Sequence, residues 1–446
     1  MLIKFIVENF RSFKDEIQFN LIATGDEAHS NHVFHLENHP KSPLLRVASL
    51  YGANAAGKSN LIRAAAFAQQ LIVHGTKSGQ AIAVSPFKLS QSTLQSPGRF
   101  EFLFEYRNVV YHYGFLLNAQ QICEEWLFVT PDKREVLGFE RVTNSQMETQ
   151  MKFGATRFWK QSKKPFLSFV AQGTRPNQLF LTEAIDRNVP ELQPVMDWFN
   201  KVLTIIPAES RLLTLSSFAR EEKTTSQFMG EFLRSVDTGI HGIAVEEHTL
   251  KTDEPNSFLP AEVQQEILSD LEDESVAVVT PEGNQFEIIH RSNSLPVLLV
   301  LKTQHKMEDG TLLNFDLSEE SEGTQRLMHL LPVLASAQSN EKVFLLDELD
   351  RRLHPLLARK FVEAYLSAPG NPKRQLIFTT HDTTLLDLNL LRRDEIWFVE
   401  KNEQGQSSLF SLAEFKPRPD LKISTSYLNG RFGAIPIIRP FGKPHA

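Results

Sequence analysis

The most regular feature of the chain is a series of short apolar runs, each closed by glycine or polar residues. Leu2 to Val7 and Ile17 to Leu21 predict two strands joined by a polar turn, and such a pair can open a sheet in antiparallel order. The aromatic and branched run from Arg99 to Leu117 turns at Arg107 and Asn108, which predicts a hairpin. The N-terminal part is therefore expected to contain an antiparallel sheet.

Two other stretches alternate strand-like and helix-like runs. Leu45 to Tyr51 is a short apolar strand, GANAAGKS forms a loop, and Asn60 to Val73 carries helix formers with an apolar stripe. Further on, VFLLDE reads as a buried strand, HPLLARKFVEAYLSA as a helix and QLIFTTH as a second buried strand. Alternation of this kind predicts a parallel sheet in an α/β fold.

The stretch from Pro190 to Leu313 is less regular. WFNKVL and MGEFLRSV resemble short amphipathic helices, whereas FEIIH and VLLVLKT resemble strands. Repeated prolines argue against a long coiled coil, because the heptads of such a helix must run without breakers. We therefore predict an N-terminal lobe at 1–185, an inserted helical and mixed region at 186–310 and a C-terminal lobe at 311–446.

Composition narrows the functional classes. The 446 residues carry a formal net charge of -7, which argues against general coating of a polyanion, although a local basic patch stays open. Cys123 is the only cysteine, so neither an internal disulfide nor a cysteine-rich metal site is expected. No run reaches the roughly 20 apolar residues of a membrane helix, and we expect a cytoplasmic protein that does not bind a membrane.

The strongest chemical signal is the pattern G-x-x-x-x-G-K-S between a predicted strand and a predicted helix. Its glycines let backbone N–H groups surround phosphates, Lys58 can reach the β and γ phosphates, and Ser59 can hold Mg²⁺. ATP and Mg²⁺ are therefore the expected ligands. The residues expected to bind the nucleotide here are Gly52, Asn54, Gly57, Lys58, Ser59 and Asn60.

Polar side chains that suit phosphoryl transfer follow two buried strands. Asp347 is expected to hold Mg²⁺ through water, and Glu348 to orient or deprotonate the attacking water. His381 follows the second strand and can contact the γ phosphate from the same sheet edge. Adjacent acids are also common in solvated loops, and a lone histidine is often structural. The phosphate loop elsewhere in the chain favours the catalytic interpretation.

Order and spacing resemble ABC-type ATPases, in which a large insertion separates the two halves of one nucleotide site. Lys58 and Asp347 are 289 residues apart. Ser321 and Gly323 stand where the family signature loop is expected, with Leu349 and Asp350 at the position of the D-loop. The resemblance implies that Ser321 and Gly323 act in trans on the partner subunit's nucleotide, and hence a dimer.

This signature region reads SEGTQ, with an acidic residue between serine and glycine, whereas the family usually has LSGGQ. A simple helix N-cap by Ser318 or Ser321 is the alternative interpretation. The glutamine that would complete an ABC-type site is either Gln172 or Gln178, and the sequence does not choose between them.

Five segments carry a closer resemblance: VENFRSF, YGANAAGKSN, DELDRRLHP, TTHD and YLNGRFGAIP. They are similar to stand-alone ABC/AAA-hybrid ATPases of prokaryotic abortive-infection systems, of the RloA or AbiL type, which are related to PARIS and Septu ATPases. The resemblance covers roughly 1–120 and 310–440. It implies a RecF/SMC-head-like P-loop fold with a mixed sheet, an inserted α/β region and no long coiled coil.

The function implied is that of an ATP-hydrolysing sensor in phage defence. It would act as a homodimer or higher homo-oligomer and control a separately encoded effector, a nuclease or toxin. The alternative is a RecF-like ATPase of DNA repair or chromosome maintenance, with nucleic acid as a partner. Either interpretation places the catalytic work on Lys58, Glu348 and His381.

Overall fold

The fold is taken from a computed structural model of the chain. It describes residues 1–37, 39–131, 134–154, 158–159, 163–209, 215–221, 223–250, 258–259, 262, 264, 275–279, 285–290, 294–335, 341–367, 373–418 and 420–436. The strands are β1 Leu2–Glu8, β2 Ile17–Asn20, β3 Val33–Leu36, β4 His39–Leu45, β5 Val47–Tyr51, β6 Gly98–Tyr106, β7 Val109–Leu117, β8 Ile122–Thr130, β9 Val136–Thr143, β10 Thr149–Phe153, β11 Leu203–Ile206, β12 Ile240–Thr249, β13 Ser275–Val279, β14 Gln285–Ile289, β15 Val297–Lys306, β16 Leu312–Asp316, β17 Lys342–Leu346, β18 Arg374–Thr379, β19 Ile396–Lys401 and β20 Ser407–Ser411. The α-helices are α1 Lys58–His74, α2 Gln91–Gln95, α3 Lys164–Gly173, α4 Phe180–Asp186, α5 Gln193–Asp197, α6 Leu215–Glu221, α7 Lys223–Ser235, α8 Glu322–Ala335, α9 Pro355–Leu366 and α10 Ile423–Leu428.

These elements group into two compact units. The first consists of Met1–Ala208, Ser339–Leu349 and Pro369–Ala446, and the second of Glu209–Gln338 and Asp350–Ala368. The three-part division expected from the sequence stays a prediction. The two compact units are defined by contacts between residues, and such contacts do not show which segments fold independently.

The first unit contains the expected antiparallel sheet. Its strand order is β10-β9-β8-β7-β6-β1-β2, and β1 pairs antiparallel with β2 as predicted. The predicted hairpin is also present: Tyr106 pairs with Val109, and both Arg107 and Asn108 have positive φ. Two consecutive residues with positive φ give the turn whose twist matches that of the flanking strands.

The second sheet of this unit has the order β11-β17-β18-β5-β19-β20, with all neighbours parallel except β19 and β20. The predicted parallel sheet is therefore confirmed. The phosphate-loop strand begins at Val47 and not at Leu45, because Leu45 ends β4 and pairs with Val33 of β3. Strand β18 separates the phosphate-loop strand β5 from the acid-bearing strand β17.

A large apolar core joins the antiparallel sheet to helix α1. Leu61, Ala65, Ala68 and Ile72 of α1 are buried in the same cluster as the aromatic face of β6. The spacing of these residues by three and four positions places them on one side of the helix. Burial of this stripe fixes α1, and so the loop at its N-terminus, against the sheets.

The second unit is built on an antiparallel sheet in the order β12-β15-β14-β13, with β16 also paired to β15. FEIIH and VLLVLKT form strands β14 and β15, and MGEFLRSV ends helix α7, as the sequence predicts. After α7, Asp237 and Gly239 have positive φ in the turn that ends the helix.

The longest α-helix in the described ranges is α1, with 17 residues. Across the same ranges, we find no helix with both the length and the apolar character needed to cross a bilayer.

Candidate functional site

The candidate site lies at the C-terminal edge of the parallel sheet in the first unit. The ends of three strands are level, because Leu346 of β17 pairs with Phe378 of β18, and Thr379 pairs with Leu50 of β5. The residues that follow these strands therefore emerge side by side. This is the edge at which open α/β sheets bind ligands.

The loop after β5 requires glycine at two positions. A Cβ on Gly52 would lie 2.3 Å from the carbonyl oxygen of Val399 in β19. Gly57 has φ of 119°, and a Cβ there would lie 2.5 Å from the Ser407 hydroxyl. The loop thus passes against β19 and β20 at distances that a side chain would block. Asn54 lies at its exposed tip.

Lys58 is the first residue of α1, and its side chain is buried. Its Nζ donates to the carbonyl oxygens of Gly52 at 2.9 Å and Ala53 at 3.2 Å, so the ammonium lies inside the curve of the loop. Backbone N–H groups at a helix N-terminus favour an anion at the same place. This arrangement suits a bound polyphosphate.

The structure brings Ser59 to the acid-bearing strand across 288 residues of sequence. Ser59 Oγ donates to Asp347 Oδ1 at 2.9 Å. Mg²⁺ in nucleotide sites typically takes one or two protein oxygens together with phosphate oxygens and water. A hydroxyl and a carboxylate in contact beside a phosphate loop fit that requirement.

Glu348 adjoins Asp347 and is partly exposed, with φ of 52°. Its backbone N–H donates to Thr379 Oγ1 at 2.8 Å, and the same hydroxyl donates to Asp347 Oδ1 at 2.6 Å. His381 follows two residues after Thr379 and is exposed at the same edge. The structure thus brings Ser59 together with Asp347 and Glu348 and leaves His381 at the same sheet edge, and their catalytic roles stay predictions.

Three residues at this site were not identified as site residues from the sequence. Thr379 joins the two acids. Ser12 accepts a hydrogen bond from Asn60 Nδ2 at 2.8 Å, and its carbonyl accepts from the backbone N–H of Ser407 at 2.8 Å. Ser407 Oγ also donates to the carbonyl of Ala56. A hydroxyl residue within the apolar run QLIFTT was a usable signal for Thr379, whereas nothing local marked Ser407.

The two candidate glutamines lie in different places, Gln178 beside the C-terminus of α1 and Gln172 on α3. Gln178 accepts from the backbone N–H of Thr76 at 2.8 Å, just after the C-terminus of α1. Helix α1 is about 25 Å long at 1.5 Å per residue, so Gln178 lies a full helix length from Ser59. Gln172 is exposed on α3 and lines a cavity beside β10.

The signature-like loop belongs to the second unit and forms the N-terminus of α8. Ser321 Oγ accepts from the backbone N–H of Thr324 at 3.1 Å, so Ser321 does cap the helix. Glu322 pairs with Arg352 at 3.3 Å, and a Cβ on Gly323 would lie 2.8 Å from the Arg352 carbonyl. Gly323 is therefore required by packing within the chain, independently of any role in trans.

The chain matches the model of a known protein family over more than half of its length. The family model described as "AAA domain, putative AbiEii toxin, Type IV TA system" matches residues 47–387. No functionally curated protein shows significant sequence similarity to the chain.

Solved structures similar to this chain include an SMC head bound to the C-terminal winged-helix domain of ScpA, with 14% identity, TM-score 0.43, and coverage of 93% of this chain and 99% of the other. An SMC head domain from Thermotoga maritima has 13% identity and TM-score 0.39, covering 92% and 98% of the two chains. The recombination mediator RecF has 13% identity and TM-score 0.34, with the same two coverages. The expected α/β fold with a mixed sheet is confirmed by the strand order, in which β19 and β20 are antiparallel and the other neighbours are parallel.

Proposed function

Because this chain belongs to the AAA domain family described as putative AbiEii toxin of type IV toxin–antitoxin systems, we propose that it is an ATP-hydrolysing regulatory subunit of an anti-phage defence system. The observation that carries the hydrolytic part is the contact of Ser59 with Asp347, with Glu348 adjacent and Lys58 in the phosphate loop. A site that only binds nucleotide has no need of the second carboxylate.

In the proposed reaction, Lys58 and the loop N–H groups hold the β and γ phosphates of ATP. Ser59, and Asp347 through water, would hold Mg²⁺, which would supply neutralisation of charge on the phosphate oxygens. Glu348 accepts a proton from water as the water oxygen bonds to the γ phosphorus. The bond from that phosphorus to the bridging oxygen breaks, and ADP and phosphate leave. His381 contacts the γ phosphate.

The proposed assembly is a homodimer or higher homo-oligomer in which Ser321 and Gly323 face the partner's nucleotide. Nucleotide state would change assembly and thereby hold or release a separately encoded toxic effector. The family description, which refers to a two-component toxin–antitoxin system, supports a partner protein. The alternative function is that of a RecF-like ATPase that binds DNA.

The first test is phosphate release from ATP by the wild type, Lys58→Ala and Glu348→Gln. Lys58→Ala should lose nucleotide binding, whereas Glu348→Gln should bind normally and turn over at least about 10²-fold more slowly, the usual contribution of a general base. Glu341→Gln is the matched control, since Glu341 precedes β17 at the opposite end of the same strand. Normal hydrolysis by both site variants would refute the assignment.

The second test concerns the partner. The gene is expressed with its native neighbours, this subunit is purified, and the mass of the complex is measured with ATP and with Glu348→Gln. A stoichiometric neighbour whose retention changes with nucleotide supports the regulatory proposal. Killing by this protein alone would contradict it and would identify the chain itself as the toxin. Dimerisation that requires both ATP and DNA would favour the RecF-like alternative.

A further inference from the structure

Thr379, the last residue of β18, makes hydrogen bonds to three consecutive residues that follow β17. Its Oγ1 donates to Asp347 Oδ1 at 2.6 Å and accepts from the backbone N–H of Glu348 at 2.8 Å. Its carbonyl oxygen accepts from the backbone N–H of Leu349 at 3.0 Å. Thr379 is fully buried. One residue of the central strand thus fixes the whole turn that carries the two acids.

The direction of these bonds is set by the number of protons. A backbone N–H can only donate, so the Thr379 oxygen must accept from Glu348, and its single hydroxyl proton is left for Asp347. Asp347 Oδ1 also accepts from Ser59 Oγ at 2.9 Å. Two hydroxyl donors on one oxygen fix the rotation of the carboxylate, and so the direction of the whole acid group towards Ser59.

The backbone at Glu348 needs such a fixed arrangement. Its φ of 52° lies in the left-handed region, which residues other than glycine adopt rarely. The bond from Glu348 N–H to the hydroxyl and the bond from Leu349 N–H to the Thr379 carbonyl hold that conformation on both sides of the residue. The direction in which the Glu348 side chain leaves the sheet edge therefore depends on Thr379.

We propose that Thr379 is a positioning residue for hydrolysis: its hydroxyl orients the Asp347 carboxylate and the Glu348 backbone, and so controls turnover more than nucleotide affinity. This inference rests on the proposed ATPase function. The loop N–H groups and Lys58, which would hold the phosphates, lie between β5 and the start of α1, whereas the Thr379 hydroxyl bonds to Asp347 and Glu348. Groups that orient metal ligands typically change activity or metal affinity 10- to 100-fold.

The test compares Thr379→Val, Thr379→Ala and Thr379→Ser with the wild type. Val keeps the shape but leaves the Glu348 N–H and Asp347 without the hydroxyl. We expect kcat to fall about 10- to 100-fold and the Mg²⁺ concentration for half-maximal rate to rise. The KM for ATP should change by less than about threefold, since uniform binding is retained. Serine should restore most of kcat, because it supplies the same hydroxyl.

Thr182→Val is the matched control, because Thr182 is buried and its hydroxyl donates to the Ile72 carbonyl, near the far end of α1. This variant should keep wild-type kcat. If Thr379→Val does not fold, Thr379→Ala also removes the hydroxyl and places less bulk beside the two acids. The proposal is overturned if the hydroxyl-free variants hydrolyse ATP at the wild-type rate, or if serine is as impaired as valine.

The same experiment distinguishes the positioning role of Thr379 from the proposed ATPase function. Wild-type hydrolysis that Glu348→Gln abolishes and Thr379→Val leaves intact would refute only the positioning role. A wild type that does not hydrolyse ATP would refute the proposed function and the role of Thr379 with it.

Discussion

Gly52→Ala tests whether the phosphate loop is held against β19. The added Cβ would lie 2.3 Å from the Val399 carbonyl oxygen, about 1 Å closer than an ordinary C···O contact of about 3.3 Å. The neighbouring residues cannot separate freely, since Tyr51 and Phe398, which directly precede Gly52 and Val399, are paired in the sheet. The loop must therefore move or the ladder must deform.

Overpacking of this kind usually costs about 1–3 kcal/mol. If the loop moves, its N–H groups leave the geometry that fits phosphate, and nucleotide affinity should fall by about 5- to 150-fold. If the strands move, the same energy appears as a lower melting temperature. Titration with a fluorescent ATP analogue and thermal melting measure the two outcomes on the same preparations.

Gly25→Ala provides the control, because no atom lies within 4 Å of its added Cβ and its φ is not in the left-handed region. It should behave as the wild type in both assays. The reasoning would be refuted if Gly52→Ala bound nucleotide within about twofold of the wild type and also melted at the wild-type temperature, since about 1 kcal/mol must appear in one of them.

Two further predictions concern the metal and the pH. Ser59→Ala should raise the Mg²⁺ concentration for half-maximal ATP hydrolysis at least about tenfold, while Ser90→Ala, at a partly exposed serine before α2, should not; equal Mg²⁺ curves for the two variants would exclude Ser59 from the metal site. Burial raises the pKa of Glu395, although the hydrogen bond with His32 opposes this. Because the folded pKa lies above the unfolded value, this carboxyl favours folding at pH below about 4.3, and that contribution is lost as pH rises through the folded pKa. Urea unfolding should show that Glu395→Gln gains stability relative to the wild type as pH rises from about 4.3 towards neutral, whereas a difference in stability that stays constant would contradict the sign.

Local sequence carried most of the information on the elements that bear the site. The phosphate loop could be identified because glycine, lysine and serine must occur at fixed spacing where a strand enters a helix. The acids at 347 and 348 and the histidine at 381 could be placed at one sheet edge because parallel strands bring their C-terminal ends together. The hairpin at Arg107 and Asn108 followed from a local turn between two alternating runs.

Contacts between segments that are distant in the chain could not be predicted from local sequence. Gln178, one of the two glutamines that the sequence left open for the site, lies near the other end of α1 from Ser59. The need for glycine at position 323 comes from the Arg352 carbonyl, which is distant in sequence. Pairings of this type depend on which segments the core brings together.

The sequence by itself therefore determined the chemistry of the candidate site, because motif spacing and strand-end polarity are properties of short segments. Only the tertiary structure decided which atoms support that chemistry. Strand order placed Thr379 between the two halves of the site. There its hydroxyl contacts the Asp347 carboxylate and the Glu348 backbone N–H. A hydrogen bond is directional and short-ranged, so such a partner can be assigned only when the packing of β17 against β18 is known.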